Sequence, residues 1–230
     1  MRISEKESVV ITGGIGKTSK TGLAYGIPAV GSCNVGAKLT CVKGSVCESC
    51  YGCKGTYGYP VVRAAQSRRF ETVKLLGMPP HRTRWVKAMV VQIKAKNKGI
   101  KSNLKGYFRW HDTGDIISVS HLQAIAEVAK EMPEVKFWLP TKEYQIVKDF
   151  LGCGYKIPKN LCIRLSAYMV DQKANINSAK LKRLPVSCVH DEKKPLGQVC
   201  KAIEAHAGCG DIGCRKCWDK KIKSISYGKH

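Results

Sequence analysis

The chain has 230 residues, 43% of them hydrophobic and 25% charged. That length can bury roughly 70% of the unfolded surface in one main domain, and the composition excludes a disordered or collagen-like chain. No run of about 18 apolar residues is present and the segment MRISEKESVV lacks a secretory apolar stretch, so no membrane partner and a cytoplasmic location are expected. The 40 Lys and Arg against 17 Asp and Glu leave a net charge of +23, which points to a polyanionic partner, most simply nucleic acid.

Residues 1–59 are rich in Gly, hold five cysteines and carry little helical pattern. Pro60 suits a helix start, and a helix is predicted from there to about Leu76, ended by GMPP. A second, from about Arg82 to Lys96, places Trp85, Met89 and Ile93 on one apolar stripe and Arg84, Lys87, Lys94 and Lys96 on the other face. Strands then alternate with helices. Strands are predicted at 107–110, 135–139, 161–165 and 185–189. Helices are predicted after Ser118 or Ser120 and from about Glu143 to Leu151. This alternation predicts an α/β protein with parallel strands, a partial (β/α) barrel being one form. Three regions are expected: a Cys-rich N-terminal loop (1–59), the α/β core (60–191) and a basic, Cys-rich tail (192–230) that binds metal.

The carboxyl ends of parallel strands are where such folds build sites. Arg109, His111, Asp112, Thr113 and Asp115 follow the first predicted strand. Thr141 and Lys142 follow the second, Ser166, Tyr168 and Asp171 the third, and His190 and Asp191 the fourth. The 12 cysteines carry the second signal. In a long chain without an export signal, clustered cysteines point to metal or chemistry rather than to disulfides. Cys41, Cys47 and Cys50 can converge on one soft metal centre, with Cys53 or Cys33 as a fourth ligand. Cys200, Cys209, Cys214 and Cys217 make a complete set for a 4Fe–4S cluster or, alternatively, zinc, and metal would hold a tail with no core of its own. Cys153 and Cys162 read as buried free thiols. Gly13, Gly14, Gly16, Lys17 and Thr18 resemble the end of a phosphate loop, but Ile11 stands where its first Gly belongs, so a flexible basic loop is expected there. Arg63–Arg69, Arg82–Lys105 and Lys180–Arg183 are candidate phosphate contacts, whereas Trp110, Trp138 and Trp218 read as core.

The runs CVKGSVCESCYGCKGTYGYP, FRWHDTGDI, FWLPTKEY, IRLSAYMVD, VHDE and CGDIGCRKCWDKKIKSISYGKH resemble the phage gene-product-88 family over nearly the whole chain. If phage-encoded, the protein is expected in the host cytoplasm. The Cys41-x5-Cys47-x2-Cys50-Tyr51 run also resembles the radical S-adenosylmethionine (SAM) loop, with a longer first spacing. That resemblance implies a 4Fe–4S cluster on Cys41, Cys47 and Cys50, a SAM cofactor, and a TIM barrel-like fold. Thr113, Gly114 and Asp115 would then contact the cofactor, and His111, Asp112, Lys142 and Tyr168 would surround a nucleic-acid or nucleotide substrate. The four tail cysteines resemble auxiliary-cluster ligands, giving one or two clusters in all. A non-catalytic iron–sulfur protein with a structural or electron-carrying cluster, and a zinc-stabilised nucleic-acid-binding module, are the competing readings.

Overall fold

A computed structural model describes residues 3–100 and 103–229. Its strands are β1 (Gly16–Thr18), β2 (Gly22–Tyr25), β3 (Tyr107–Trp110), β4 (Lys136–Thr141), β5 (Leu161–Ser166), β6 (Val186–His190), β7 (Gln198–Val199) and β8 (Ser224–Gly228). They form one sheet in the order β1-β2-β3-β4-β5-β6-β8-β7. The β1–β2 pair is an antiparallel hairpin and every other neighbouring pair is parallel. The helices are α1 (Glu5–Thr12), α2 (Asn34–Leu39), α3 (Pro60–Lys74), α4 (Pro79–Lys98), α5 (Val119–Glu131), α6 (Tyr144–Gly152) and α7 (Lys201–Glu204). This is an α/β architecture on a mostly parallel sheet, as the strand–helix alternation predicts.

Side-chain alternation along each strand assigns the two faces. Phe108, Trp110, Phe137, Leu139, Leu161, Ile163 and Leu165 point to one side. There they share a core with Trp85, Met89 and Ile93 of α4, Leu122 and Ile125 of α5, and Val147 and Phe150 of α6. The intervening residues Tyr107, Trp138 and Ile225 point to the other side and pack with Trp218, Cys200, Cys209 and Cys217. The C-terminal segment therefore covers the face that the helices leave bare. Arg164 of β5 fastens it there. Its buried guanidinium donates to the carbonyls of Val186 and Ile222, both at 3.0 Å, of Asp219 at 3.1 Å and of Lys216 at 3.4 Å. The segment's last strand, β8, lies inside the sheet between β6 and β7.

Local chemistry sets several boundaries. Ser118 caps α5, its Oγ accepting from His121 N at 3.1 Å. The second helix begins at Pro79 rather than Arg82, because Pro at the first helical turn loses no hydrogen bond. The Gly-rich N-terminal third holds α1, α2 and the β1–β2 hairpin, which periodicity does not show. All four residues of β2 are buried, so the strand has no polar alternation to read. The phosphate-loop lookalike is not a flexible loop. Gly16, Lys17 and Thr18 are β1, and Gly13 is the left-handed C-cap of α1 (φ 75°). A Cβ on Gly13 would lie 2.6 Å from Arg69 N, so only glycine admits this approach of α3.

Candidate metal centre

Residues 26–59 leave the carboxyl end of β2 and are tied to the carboxyl ends of the next three strands in turn. At the end of β3, Ile27 N donates to Thr113 O (3.1 Å), and Thr113 Oγ1 donates back to Ile27 O (3.0 Å). Gln66 Nε2 of α3 donates to Thr113 Oγ1 (2.8 Å), and Tyr51 Oη to Asp112 O (2.6 Å). At the end of β4, the buried Glu143 carboxylate accepts from Val35 N (2.8 Å) and so holds the start of α2. At the end of β5, Val46 N donates to Tyr168 O and Val170 N to Gly44 O, both at 2.9 Å. Gly114 makes a close contact with the arch. At φ 73° its missing Cβ would meet Ile27 Cγ1 and Ser32 Oγ at 2.5 Å. The arch is thus seated on three strand-end loops, each by its own bonds.

This seating turns particular thiols inward. Cys33 and Cys47 both border Gly36. A Cβ there would stand 3.7 Å from Cys33 Sγ, 3.6 Å from Cys47 Sγ and 2.9 Å from Cys33 Cβ. Gly52 likewise faces Cys50 Sγ at 3.5 Å. Burial pushes the Cys33 thiol up to about 12, and Asp115 and Cys50 add to the rise while Lys142 opposes it. Burial also raises Cys47, opposed by the nearby Lys142 ammonium, with Cys50 and Asp115 adding to the rise. Cys33, Cys47 and Cys50 are therefore neighbours of one another and of Asp115 and Lys142. Cys41, which the sequence groups with Cys47 and Cys50, is exposed at the far end of α2 and meets Thr40 Oγ1 at 3.8 Å. The structure puts Cys33 in its place, because α2 separates the two by its whole length. Cys53 is exposed and abuts Cys50.

The polar residues singled out at the strand ends are largely engaged. Asp115 accepts from Thr141 Oγ1 (2.6 Å), Lys142 N and Ile116 N (both 2.8 Å). Burial, opposed by these bonds, pushes its carboxyl up to about 6. Asp112 accepts at Oδ2 from Tyr57 Oη (3.0 Å). Tyr168 donates through Oη to Lys142 O (2.9 Å), and its ring stacks on Tyr144. His111 is not at the mouth. It turns into the helix-side core, 2% exposed, with its ring centroid 5.0 Å from that of His121. His190 Nδ1 lies 2.8 Å from Ser226 Oγ, and Asp191 pairs with Lys229. Sequence reasoning did not single out Glu143, Gln66 or Tyr57. Glu143 directly follows Lys142 at a strand end, which is the one signal that could have marked it. Arg109 reaches across the rim, with Nη2 donating to Tyr51 Oη (3.1 Å) and its guanidinium over Trp138.

The tail cysteines gather on the sheet face that the helices leave bare. Cys200, Cys209 and Cys217 are buried together. Burial raises Cys209 to about 11, with Cys200 and Cys214 as neighbours. Burial also raises Cys217 to about 12; Tyr227 is hydrogen-bonded to it, and Cys200 and Cys209 are near. Among the described residues, no three His, Cys, Asp or Glu side chains converge closely enough to hold a single metal ion. Of the three remaining cysteines, Cys162 is buried as expected, Cys188 is buried and Cys153 is exposed. No helix among the described residues is long and apolar enough to cross a membrane.

No curated protein and no solved structure matches the chain. The model of the Gene product 88 family matches residues 9–222, which take in the Cys-bearing arch, the strands β1–β7 and most of the tail. The chain belongs to the Gene product 88 family, the phage family that its motifs resemble.

Proposed function

We propose that this is an iron–sulfur enzyme of the radical SAM kind. Its first 4Fe–4S centre is held by Cys33, Cys47 and Cys50 over the carboxyl ends of β2–β5, and its substrate is nucleic acid or a nucleotide. The observation that carries the reading is the seating of a three-thiol arch on three successive strand-end loops. The donor set fits such a group: three neighbouring thiols and no competing histidine, with Gly36 and Gly52 packed against them. Zinc would draw its sulfurs to within about 4 Å of one another, whereas a cubane binds each thiolate through a separate iron and spreads them. In the tail, Cys200, Cys209, Cys214 and Cys217 supply four thiols, a complete set for a second centre.

When bound, a 4Fe–4S centre with three thiolates supplies an open iron and one-electron reduction, the chemistry that cleaves SAM. The chain's own residues do the rest. Lys142 places a cation beside Cys47, offsetting thiolate charge as the thiols lose their protons. Asp115 fixes the turn that carries Lys142. Tyr51, Tyr57 and Arg109 close the rim above Asp112 and exclude water from it.

Surplus charge supplies the substrate class. Among the described residues, only Lys74, Arg82, Arg84 and Lys229 have carboxylate partners. Lys38, Lys43, Lys54 and Arg63, on the arch and the start of α3, face solvent without one. Anaerobic loading with iron and sulfide, then dithionite and SAM, tests the reading. Release of 5′-deoxyadenosine is expected, and its loss in Cys47→Ser. Iron-loaded protein that releases none would contradict enzymatic SAM cleavage and leave an electron-carrying or structural centre.

A further inference from the structure

One thiol of the arch lies outside the three that face inward. Cys53 N donates to Cys50 O at 3.1 Å, so the two cysteines are the first and last residues of a tight turn. The turn continues as a short 3₁₀ segment, Tyr51–Cys53. The ends of such a turn lie within about 7 Å, overlapping the ~4.4–6.8 Å Cα separation that a disulfide spans. The two thiols are electrostatic neighbours. Gly52 keeps the turn pressed to the floor of the site, since a Cβ there would stand 2.8 Å from Ala29 Cβ and 3.1 Å from Thr113 Cγ2. Cys53 is exposed and Cys50 half-buried, and Lys54 and Arg63 set two cations beside Cys53.

We propose that Cys50 and Cys53 form a thiol–disulfide exchange site that takes a small anionic disulfide such as oxidised glutathione. The accessible Cys53 thiolate attacks one glutathione sulfur, forming a mixed disulfide and releasing one glutathione thiolate. The Cys50 thiolate then attacks Cys53 Sγ and releases the second. Two protein thiols become one disulfide, the oxidised glutathione becomes two reduced molecules, and the two protein protons end on them. Lys54 and Arg63 attract the anionic disulfide. The consequence rests on the iron reading above: a closed pair withdraws Cys50 from the metal, so oxidation of an empty site blocks loading until the pair is reduced.

Trypsin cuts after Lys43 and Lys54, so one peptide carries Cys47, Cys50 and Cys53. Iron-free, full-length protein is equilibrated with oxidised glutathione, alkylated and digested. The expected peptide carries one alkyl group, on Cys47, and is two hydrogens lighter than the reduced form. Cys53→Ser should lose that species yet load iron like the wild type. Three alkylated cysteines, or a bond joining Cys47 to either neighbour, would overturn the proposal. So would loss of iron in Cys53→Ser, which would make Cys53 a fourth ligand. A Cys50–Cys53 bond in protein that never takes iron would sustain the pair and overturn only the iron reading.

Discussion

His111 and His121 lie ring against ring in the helix-side core, beside Trp85 and Trp110, and neither His111 nitrogen has a hydrogen-bond partner. Burial pushes His121 down to about 3 and His111 well below its usual value. Both are therefore neutral in the fold and protonate more readily when unfolded. Their contribution is complete above about pH 6.5 and is lost as pH falls towards 3. Thermal melts should show Tm dropping across that window, and the drop should be shallower in His121→Phe; an unchanged pH profile in that variant would remove His121 from the account. This pair also shows what a sequence can mislead about. His111 sits directly after a parallel strand, where catalytic residues gather, but its left-handed backbone (φ 51°) turns it into the core. Arg69 deceives in the same way. It belongs to a basic run, yet its Nε and Nη1 hold the carbonyls of Gly14 (2.7 Å) and Gly26 (3.1 Å). Its replacement would damage packing rather than a phosphate contact.

At the scale of elements, two attachments decide whether the site forms. Glu143 accepts from the first turn of α2 and so fixes where Cys33 stands. Glu143→Ala should cost about 1 kcal/mol, as a lost helix cap does, and weaken iron retention, while Glu143→Gln, which still accepts, keeps most of both. Equal iron affinity in the two variants would show that α2 needs no such anchor. Arg164 is the second attachment. Arg164→Ala should destabilise the fold by about 3 kcal/mol or more, because several tail carbonyls lose a charged donor together. Limited proteolysis should then cut first near Lys193–Lys194 or Lys216, whereas a cutting pattern like the wild type's would contradict the tail's dependence on Arg164. Helices with strong amphipathic stripes and strands that alternate were legible, as Trp85, Met89 and Ile93 on α4 and the turn from β3 into α5 show. The arch was not, because its order comes from tethers to residues 86, 108 and 122 positions away, Thr113, Glu143 and Tyr168, which no local pattern carries.

The whole molecule is a sheet with helices on one face and sulfur-rich chain on the other, under a strong positive charge. Exposed Arg63 and Arg68 on α3 and Lys87 and Lys94 on α4 lack carboxylate partners, whereas Lys74, Arg82 and Arg84 are paired with Glu71, Glu127 and Glu7. Of the basic run at 82–105, Lys101 lies outside the described residues. Binding to single-stranded DNA or RNA should weaken steeply with salt, and Arg63→Glu with Arg68→Glu should reduce both affinity and salt slope without changing metal content. Salt-independent binding would contradict a phosphate interface. The four tail cysteines were legible as a group because they lie close in sequence; the substitution of Cys33 for Cys41 was not, because it depends on which end of α2 faces the strands. That substitution is also the sharpest test of the whole account. Iron and acid-labile sulfide per chain should be measured in oxygen-protected wild type, Cys33→Ser and Cys41→Ser. The account predicts bound iron and sulfide in the wild type, a clear loss in Cys33→Ser and no loss in Cys41→Ser; metal-free wild type, or loss on replacing Cys41 but not Cys33, would contradict it.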